Sequence, residues 1–315
     1  MKNGIILGID TSNYTTSVAL MTTEGELVAN IKRPLTVRAG ERGLRQSDAL
    51  FLHTKNMPSA MNEAKEMLAG RRIAAIGVSS RPRNTEGSYM PCFLAGVAAA
   101  ESAACASGAS VYQFSHQCGH IMAALYSARR TDLLSGSFAA FHVSGGTTEL
   151  LAVKPSGNAF SAELVGGTKD LNAGQVIDRV GVKLGLTFPC GPALERLALA
   201  NDKKIPKRKV AKDGLYVNLS GIENLADKIY RDTGSAELTA AFVLDHIGDS
   251  MIYMTDSYFE RYGKSHIVYA GGVMCNSIIK NRLSKLYDCS FAEPTMSCDN
   301  AVGIAYLALR AFENN

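Results

Sequence analysis

The sequence contains no tryptophan, and aromatic residues make up only 7% of it. Aromatic cages and stacking platforms for single-stranded nucleic acid need more aromatic side chains, so neither class is indicated. The seven cysteines are odd in number and include no CxxC pair. They stand dispersed at 92, 105, 118, 190, 275, 289 and 298, which argues against a disulfide framework and for a reduced, cytoplasmic setting. Charge of one sign is also scarce. The 33 basic and 29 acidic residues leave a net charge of +4, too little to announce nucleic acid by itself. Long apolar runs are missing. Residues 4–9 are too short for a signal-peptide core, and Asp10 follows at once. The small-residue stretch Cys92 to Ser110 carries Glu101 in its middle, so no membrane span is expected. Three signatures are absent as well: the Walker A motif, the GxGxxG fingerprint and the HExxH of zinc proteases.

What is present is an ordinary globular composition, 46% hydrophobic and 20% charged, over 315 residues. That length suggests two domains or one bilobed unit. Short apolar runs predict strands at 4–9, 14–21, 27–32, 73–79 and 110–114. Helical periodicity predicts helices at 50–68, 91–106 and 117–129, and 34–48 reads as a loop. Residues 138–153 read strand, glycine turn, strand, and echo the start of the chain. Gly8 to Leu20 and Phe141 to Val153 both place a polar turn between β-runs, with Thr-Thr opening the second. The echo divides the chain into comparable halves, as a duplicated α/β lobe would. The remaining expectations are helices at 172–186, 191–200, 235–262, 275–285 and 299–313, a basic loop at 201–213 and a strand at 266–270. Strands interleaved with helices mean an α/β fold.

Three groups of residues carry chemistry. His116 and His120 stand four apart at the start of a predicted helix, so both imidazoles share one face within reach of one metal ion. A third ligand must come from elsewhere, and Asp299 and His142 are the candidates. Two His with a carboxylate suit iron or zinc. The bland reading is a helix start with two partly exposed histidines. The second group is glycine-rich. Ser144-Gly145-Gly146 lies between two strands, where main-chain N–H groups can approach an anionic oxygen. Gly271-Gly272 ends a strand and opens a helix that begins near Asn276, and Gly191 opens another helix with Glu195 on it. Asp178 could accept from ribose hydroxyls. Together these turns suggest a nucleotide cleft, although a lone SGG usually only shapes a hairpin. The third group is the basic stretch 203–209, most often a solvated loop, and a phosphate contact if the substrate is RNA.

The order DTSNYTTSVAL, LHTKNMP, HQCGH, HVSGGTTELL, NAGQVIDRVGVKLGLTFPCGPALE, GGVMCNS, CDNAVGIAY resembles the TsaD/Gcp family nearly end to end. These are tRNA threonylcarbamoyltransferases, once described as O-sialoglycoprotein endopeptidases. The resemblance implies a duplicated two-lobed fold of the actin/sugar-kinase/heat-shock ATPase (ASKHA) type. The expected lobes are 1–130 with 290–315, carrying the histidine helix, and 131–289, carrying the glycine turns. The implied activity moves threonylcarbamoyl from its adenylate to the N6 amine of the adenosine beside the tRNA anticodon. The implied ligands are one divalent metal ion on His116, His120 and Asp299, and a nucleotide along His142, Val143, Ser144, Gly145 and Gly146. Asp178, Gly191, Glu195 and Asn276 match the remaining nucleotide contacts. Some relatives have a tyrosine ligand where this chain has His142. Accessory proteins of the threonylcarbamoyl pathway are implied partners.

The chain also departs from the family pattern. Its GPG-type loop is replaced by Arg81-Pro82-Arg83-Asn84-Thr85-Glu86-Gly87, its GGVVPE stretch by Ala39 to Asp48, and its SGGHTQ by Ser144 to Glu149. The first Gly of its GGP is Cys190, and its DAAGEAFD reads 171–178 here. A divergent paralogue would keep the metal set while its substrate loops drift. The alternative is therefore a non-catalytic or different-substrate nucleotide-binding partner protein. A metalloprotease is disfavoured by the missing HExxH glutamate.

Overall fold

The computed structural model describes residues 4–12, 14–36, 44–157, 159–297 and 300–314. In chain order its regular elements open with β1 (Ile5–Asp10), β2 (Thr15–Thr22), β3 (Leu27–Pro34), α1 (Gln46–Leu68), β4 (Ile73–Arg81), α2 (Phe93–Ser107), β5 (Ser110–Ser115) and α3 (His116–Ser127). There follow β6 (Phe138–Val143), β7 (Thr148–Ser156), β8 (Ala159–Thr168), α4 (Ala173–Lys183), α5 (Gly191–Leu199), β9 (Ala211–Asp213) and β10 (Tyr216–Asn218). The chain closes with α6 (Ser220–Thr233), α7 (Ala236–Tyr262), β11 (Ile267–Ala270), α8 (Ser277–Leu286), β12 (Cys289–Phe291) and α9 (Val302–Glu313). It divides into two compact units. One is Met1–Ser135 with Lys154–Ala162 and Thr295–Asn315; the other is Gly136–Val153 with Glu163–Pro294.

In the first unit the strand order is β3-β2-β1-β4-β5. β1 is buried along its whole length, which is why it reads as an unbroken apolar run. β2 returns antiparallel beside it, and β4 joins it in parallel. One layer of core, from Leu7, Ile9, Leu20 and Val78, packs under α1 and α2. The other face carries α9 through Ile6, Ala19, Ala305 and Ala308. This second contact is built on glycine. A Cβ at Gly8 would stand 2.6 Å from the Ala301 carbonyl oxygen, and one at Gly77 2.6 Å from that of Ile304. A Cβ at Gly303 would overlap the Gly119 carbonyl, so α9 also presses backbone to backbone on α3.

In the second unit the order is β12-β11-β6-β7-β8-β10-β9. Its middle repeats the first sheet. β6 has an antiparallel neighbour in β7 and a parallel neighbour in β11, and β12 is parallel outside β11. Thus β8-β7-β6-β11-β12 matches β3-β2-β1-β4-β5, the duplication that the Thr-Thr echo led us to expect. The core runs from Phe141, Leu150 and Tyr269 to α4 and the long α7, including Ile177, Phe242 and Met251.

The structure differs from the sequence expectations in several places. β8, α6, β10 and β12 fall in stretches with no predicted element. β8 is masked by Gly166-Gly167, where a side chain would collide with the backbone of Leu215 and Thr148. The basic loop is shorter than 201–213, because Ala211–Asp213 pairs with β10. The helix expected from 275 begins as a single 3-10 turn, Gly272–Cys275, and α8 starts anew at Ser277, capped by Asn276. The last helix starts at Val302, its N–H taken by the Asn300 side chain at 3.0 Å. The loop at 34–48 lies in part outside the described residues, and its end is helical, since α1 begins at Gln46. Among the described residues no helix is long and apolar enough to cross a membrane.

Gly303→Ala should destabilise the protein by about 1–3 kcal/mol or more, as forced overpacking does. Urea denaturation measures it. A stability equal to the parent's would mean that α9 and α3 do not touch through their backbones.

Candidate functional site

Each unit gathers its chemistry at the carboxyl ends of its parallel strands, the edge where open α/β sheets receive ligands. In the first unit these ends belong to β1, β4 and β5. Ser115 closes β5 and caps α3, its hydroxyl accepting from the Cys118 N–H at 3.3 Å. His116 and His120 therefore sit on successive turns from the very start of the helix. Their ring centroids are 4.3 Å apart, edge to face. His116 is fixed from behind. Its Nδ1 lies 2.8 Å from Oδ2 of Asp10, a carboxylate whose side chain is 1% exposed. The other oxygen of Asp10 accepts from the Ser12 N–H at 2.8 Å. Gly8 and Gly77 face α9, so strand alternation turns Asp10 and Ser79 to that same face.

Asp10 escaped the sequence reading. The available signal was an acidic residue closing a wholly apolar strand, since a buried carboxylate must be paired. Two hydroxyls beside it, Ser12 Oγ and Ser79 Oγ, are buried with no hydrogen-bond partner. Unpaired buried hydroxyls are costly, and their usual explanation is a ligand or water. Among the described residues no three His, Cys, Asp or Glu side chains cluster to hold an ion. Asp299, the third ligand implied by the resemblance, lies outside the described residues.

In the second unit the site edge is formed by β6 and β11. The Ser144-Gly145-Gly146 turn is closed by Ser144 N–H to the Thr147 carbonyl at 2.7 Å and by Gly146 N–H to Ser144 Oγ at 3.2 Å. α4 starts directly against it. Gly174 donates to the Ser144 carbonyl at 3.1 Å, and a Cβ there would stand 2.6 Å from the Gly145 nitrogen. Gly145 and Gly146 themselves are exposed, with open space where a side chain would stand. On the other side Gly271, at φ +98, ends β11 so close to Val143 that any side chain would overlap it. His142 is half-buried in β6, paired in register with Glu149 and Ala270.

The other predicted nucleotide contacts tie helix ends together. The Asp178 carboxylate on α4 accepts the Cys190 N–H at 2.8 Å, just before Gly191 opens α5. Burial pushes the Asp178 carboxyl up from its ordinary range. Glu195 on α5 accepts both the N–H and the hydroxyl of Ser277, at 2.7 and 2.5 Å. Asn276 caps α8, accepting from the Ile279 N–H at 3.1 Å. Asp178, Glu195 and Asn276 thus each have a positioning task inside the unit. In the basic stretch Lys207 is ion-paired with Asp245 at 2.6 Å and Asp249 at 3.6 Å. Lys203, Lys204, Arg208 and Lys209 are exposed.

A family model described as tRNA N6-adenosine threonylcarbamoyltransferase, TsaD, matches residues 32–306. A protein of that name from Streptococcus suis (strain 05ZYH33) is 28% identical over 327 residues, covering 99% of this chain and 94% of that protein. One from Streptococcus pneumoniae (strain Taiwan19F-14) is 28% identical over 325 residues, covering 98% and 93%. Among solved structures, full-length HypF in its phosphate- and nucleotide-bound form superposes with a TM-score of 0.62 at 11% identity, over 99% of this chain. This chain spans 56% of that one. Component A of the (R)-2-hydroxyglutaryl-CoA dehydratase of Acidaminococcus fermentans gives 0.57 at 16% identity, covering 98% and 99%. These two likenesses concern the fold alone, which is of the ASKHA type.

Gly145→Val should leave stability within about 0.5 kcal/mol, as an open surface position allows, whereas Gly174→Ala should lower it by about 1–3 kcal/mol. Paired urea titrations test this. Equal stability of the two variants would mean that α4 does not seat against the turn.

Proposed function

This chain belongs to the tRNA N6-adenosine threonylcarbamoyltransferase family, and from that premise we propose that it transfers threonylcarbamoyl from threonylcarbamoyl-adenylate to the N6 amine of the tRNA adenosine beside the anticodon. The observation that carries the reading is the orientation of His116. Its Nδ1 faces the buried carboxylate of Asp10 at 2.8 Å, which leaves the other ring nitrogen as the ligating atom. Ligating histidines are characteristically held in this way. The orphaned hydroxyl of Ser12 next to Asp10 fits a ligand there too. The donor set therefore suits a divalent ion, iron or zinc, held by His116, His120 and Asp299, with His142 a further candidate. Bound there, the ion would polarise a carbonyl or carboxylate oxygen as a Lewis acid.

The chain's own residues do the rest. Asp10 fixes the tautomer and angle of His116. The turn Val143 to Gly146, with the nearby starts of α4, α5 and α8, receives the adenylate. Its approach is open because Gly145 and Gly146 present only backbone. Asp178, Glu195 and Asn276 hold those helix starts in place. The tRNA amine attacks the carbonyl carbon of a mixed anhydride, the C–N bond forms, the C–O bond to the phosphate breaks with AMP as leaving group, and the amine's proton passes to solvent. No protein nucleophile is required. Lys203, Lys204, Arg208 and Lys209 offer phosphate contacts to the RNA. Accessory proteins of the pathway would act with the chain in the cytoplasm.

The altered loops at 81–87 and 144–149 favour a second reading, a nucleotide-binding paralogue that works as a partner without transfer. One assay separates the two. Purified protein with threonylcarbamoyl-adenylate and unmodified tRNA should yield the modified nucleoside by mass spectrometry. Nucleotide binding without product would support the paralogue. One ion per chain should be found by elemental analysis and lost in His116→Ala or His120→Ala; a metal-free parent purified without chelator would remove the ion from the mechanism. By calorimetry Gly145→Val should weaken adenine-nucleotide binding at least ~10-fold, about 1.4 kcal/mol; unchanged affinity would move the nucleotide away from this turn.

A further inference from the structure

The loop that replaces the family's GPG segment holds a guanidinium in a fixed position. Arg81 closes β4 and pairs in register with Ser115, the residue just before His116. A register shift between Ser79 and Arg81 bends the strand there. The guanidinium is half-buried and tethered twice, by Nη1 to Ser80 Oγ at 3.1 Å and by Nη2 to Asn84 Oδ1 at 2.9 Å. Asn84 is held in turn, its amide donating to the Cys118 sulfur at 3.2 Å. The loop is further pinned to α3 by the Gln117 N–H, which donates to the Pro82 carbonyl at 3.1 Å. It is closed on itself by Arg83 N–H to Ser88 Oγ at 3.0 Å.

Among the described residues no carboxylate pairs with Arg81. A guanidinium pre-oriented by neutral partners keeps its charge and several N–H donors for something else. It stands at the first turn of α3, where the helix dipole adds positive potential of the same sign. The orphaned hydroxyl of Ser79 lies two residues before it on the same strand end. The neutral tethers of Arg81 and the start of α3 therefore suit a planar or tetrahedral oxyanion, which guanidinium binds through two parallel hydrogen bonds.

We propose that Arg81 anchors an oxyanion of the ligand at the histidine helix, a specificity contact that the replaced loop adds to this chain. The proposal rests on the functional reading above for the ligand's identity, since threonylcarbamoyl-adenylate carries both a carboxylate and a phosphate. Its physical content does not depend on transfer. The test is a titration of the full chain followed by NMR of the arginine side-chain Nε–H resonances, with Arg81 assigned from the spectrum of Arg81→Lys. Two probes are used separately, N-carbamoyl-L-threonine for the carboxylate and inorganic phosphate for the phosphoryl end. We expect a saturable shift of the Arg81 resonance, with the tighter probe identifying which end docks here. Calorimetry with that probe should show about 10- to 100-fold weaker binding in Arg81→Gln, the range for a lost charge-assisted pair. Asn84→Ala keeps the charge but frees the guanidinium, and should weaken binding by a smaller factor. Thermal unfolding checks that each variant is folded. No saturable shift with either probe overturns the proposal, as does unchanged affinity in folded Arg81→Gln. Saturable binding in a protein that makes no modified nucleoside would keep the oxyanion site and reject the transferase reading.

Discussion

α9 lies on glycine, and the first unit is arranged around that contact. Gly8 on β1 and Gly77 on β4 let the helix backbone come down onto the sheet, and Gly303 meets Gly119 where α9 crosses α3. No side chain can be inserted at these points without moving a main chain, because interiors are packed to crystal density. The consequence reaches the chemistry. α3 is locked between β5 and α9 at the turn that carries His116 and His120. There His116 meets Asp10 at the end of β1.

The second unit solves the same problem with the same topology and different side chains. Where β1 ends in a buried carboxylate, β6 ends in Val143 and an exposed glycine turn. Gly174 and Gly271 bring α4 and the end of β11 against that turn, in the places where a Cβ would forbid it. Asp178, Glu195 and Asn276 then tie the starts of α5 and α8. Hydrogen bonds to charged groups, as at the Asp178 and Glu195 carboxylates, contribute about 1.5–3 kcal/mol each. One duplicated sheet edge thus presents imidazole and carboxylate, and its copy presents open backbone.

Two of the segments that depart from the family pattern, 81–87 and 144–149, lie on these edges. The Arg81 to Gly87 loop is fastened to α3 through Asn84 and Pro82. The Thr147-Thr148-Glu149 segment keeps a structural hydrogen bond, since Thr148 Oγ1 accepts the Ala173 N–H at 2.9 Å. Change concentrated at strand ends alters what the site recognises while the scaffold is retained.

The sequence by itself determined the α/β class, the duplication and the histidine pair. Short unbroken apolar runs bounded by polar residues read as buried strands, and an i, i+4 spacing puts two side chains on one helix face whatever lies around them. It also revealed the glycine turns. Only the tertiary structure decided what the glycines are for, because their partners are distant in the chain: Gly303 with Gly119, Gly271 with Val143, Gly174 with Gly145. It alone revealed Asp10 behind His116, a pair separated by 106 positions that no local pattern marks. It gave Asp178, Glu195 and Asn276 their tasks at helix ends, which spacing could not distinguish from ligand contacts. It also recovered β8 and α6, whose glycines and half-exposed faces blur the periodicity that announces a strand or a helix. Local periodicity is written in neighbouring residues, whereas a buried polar pair is satisfied only across the fold.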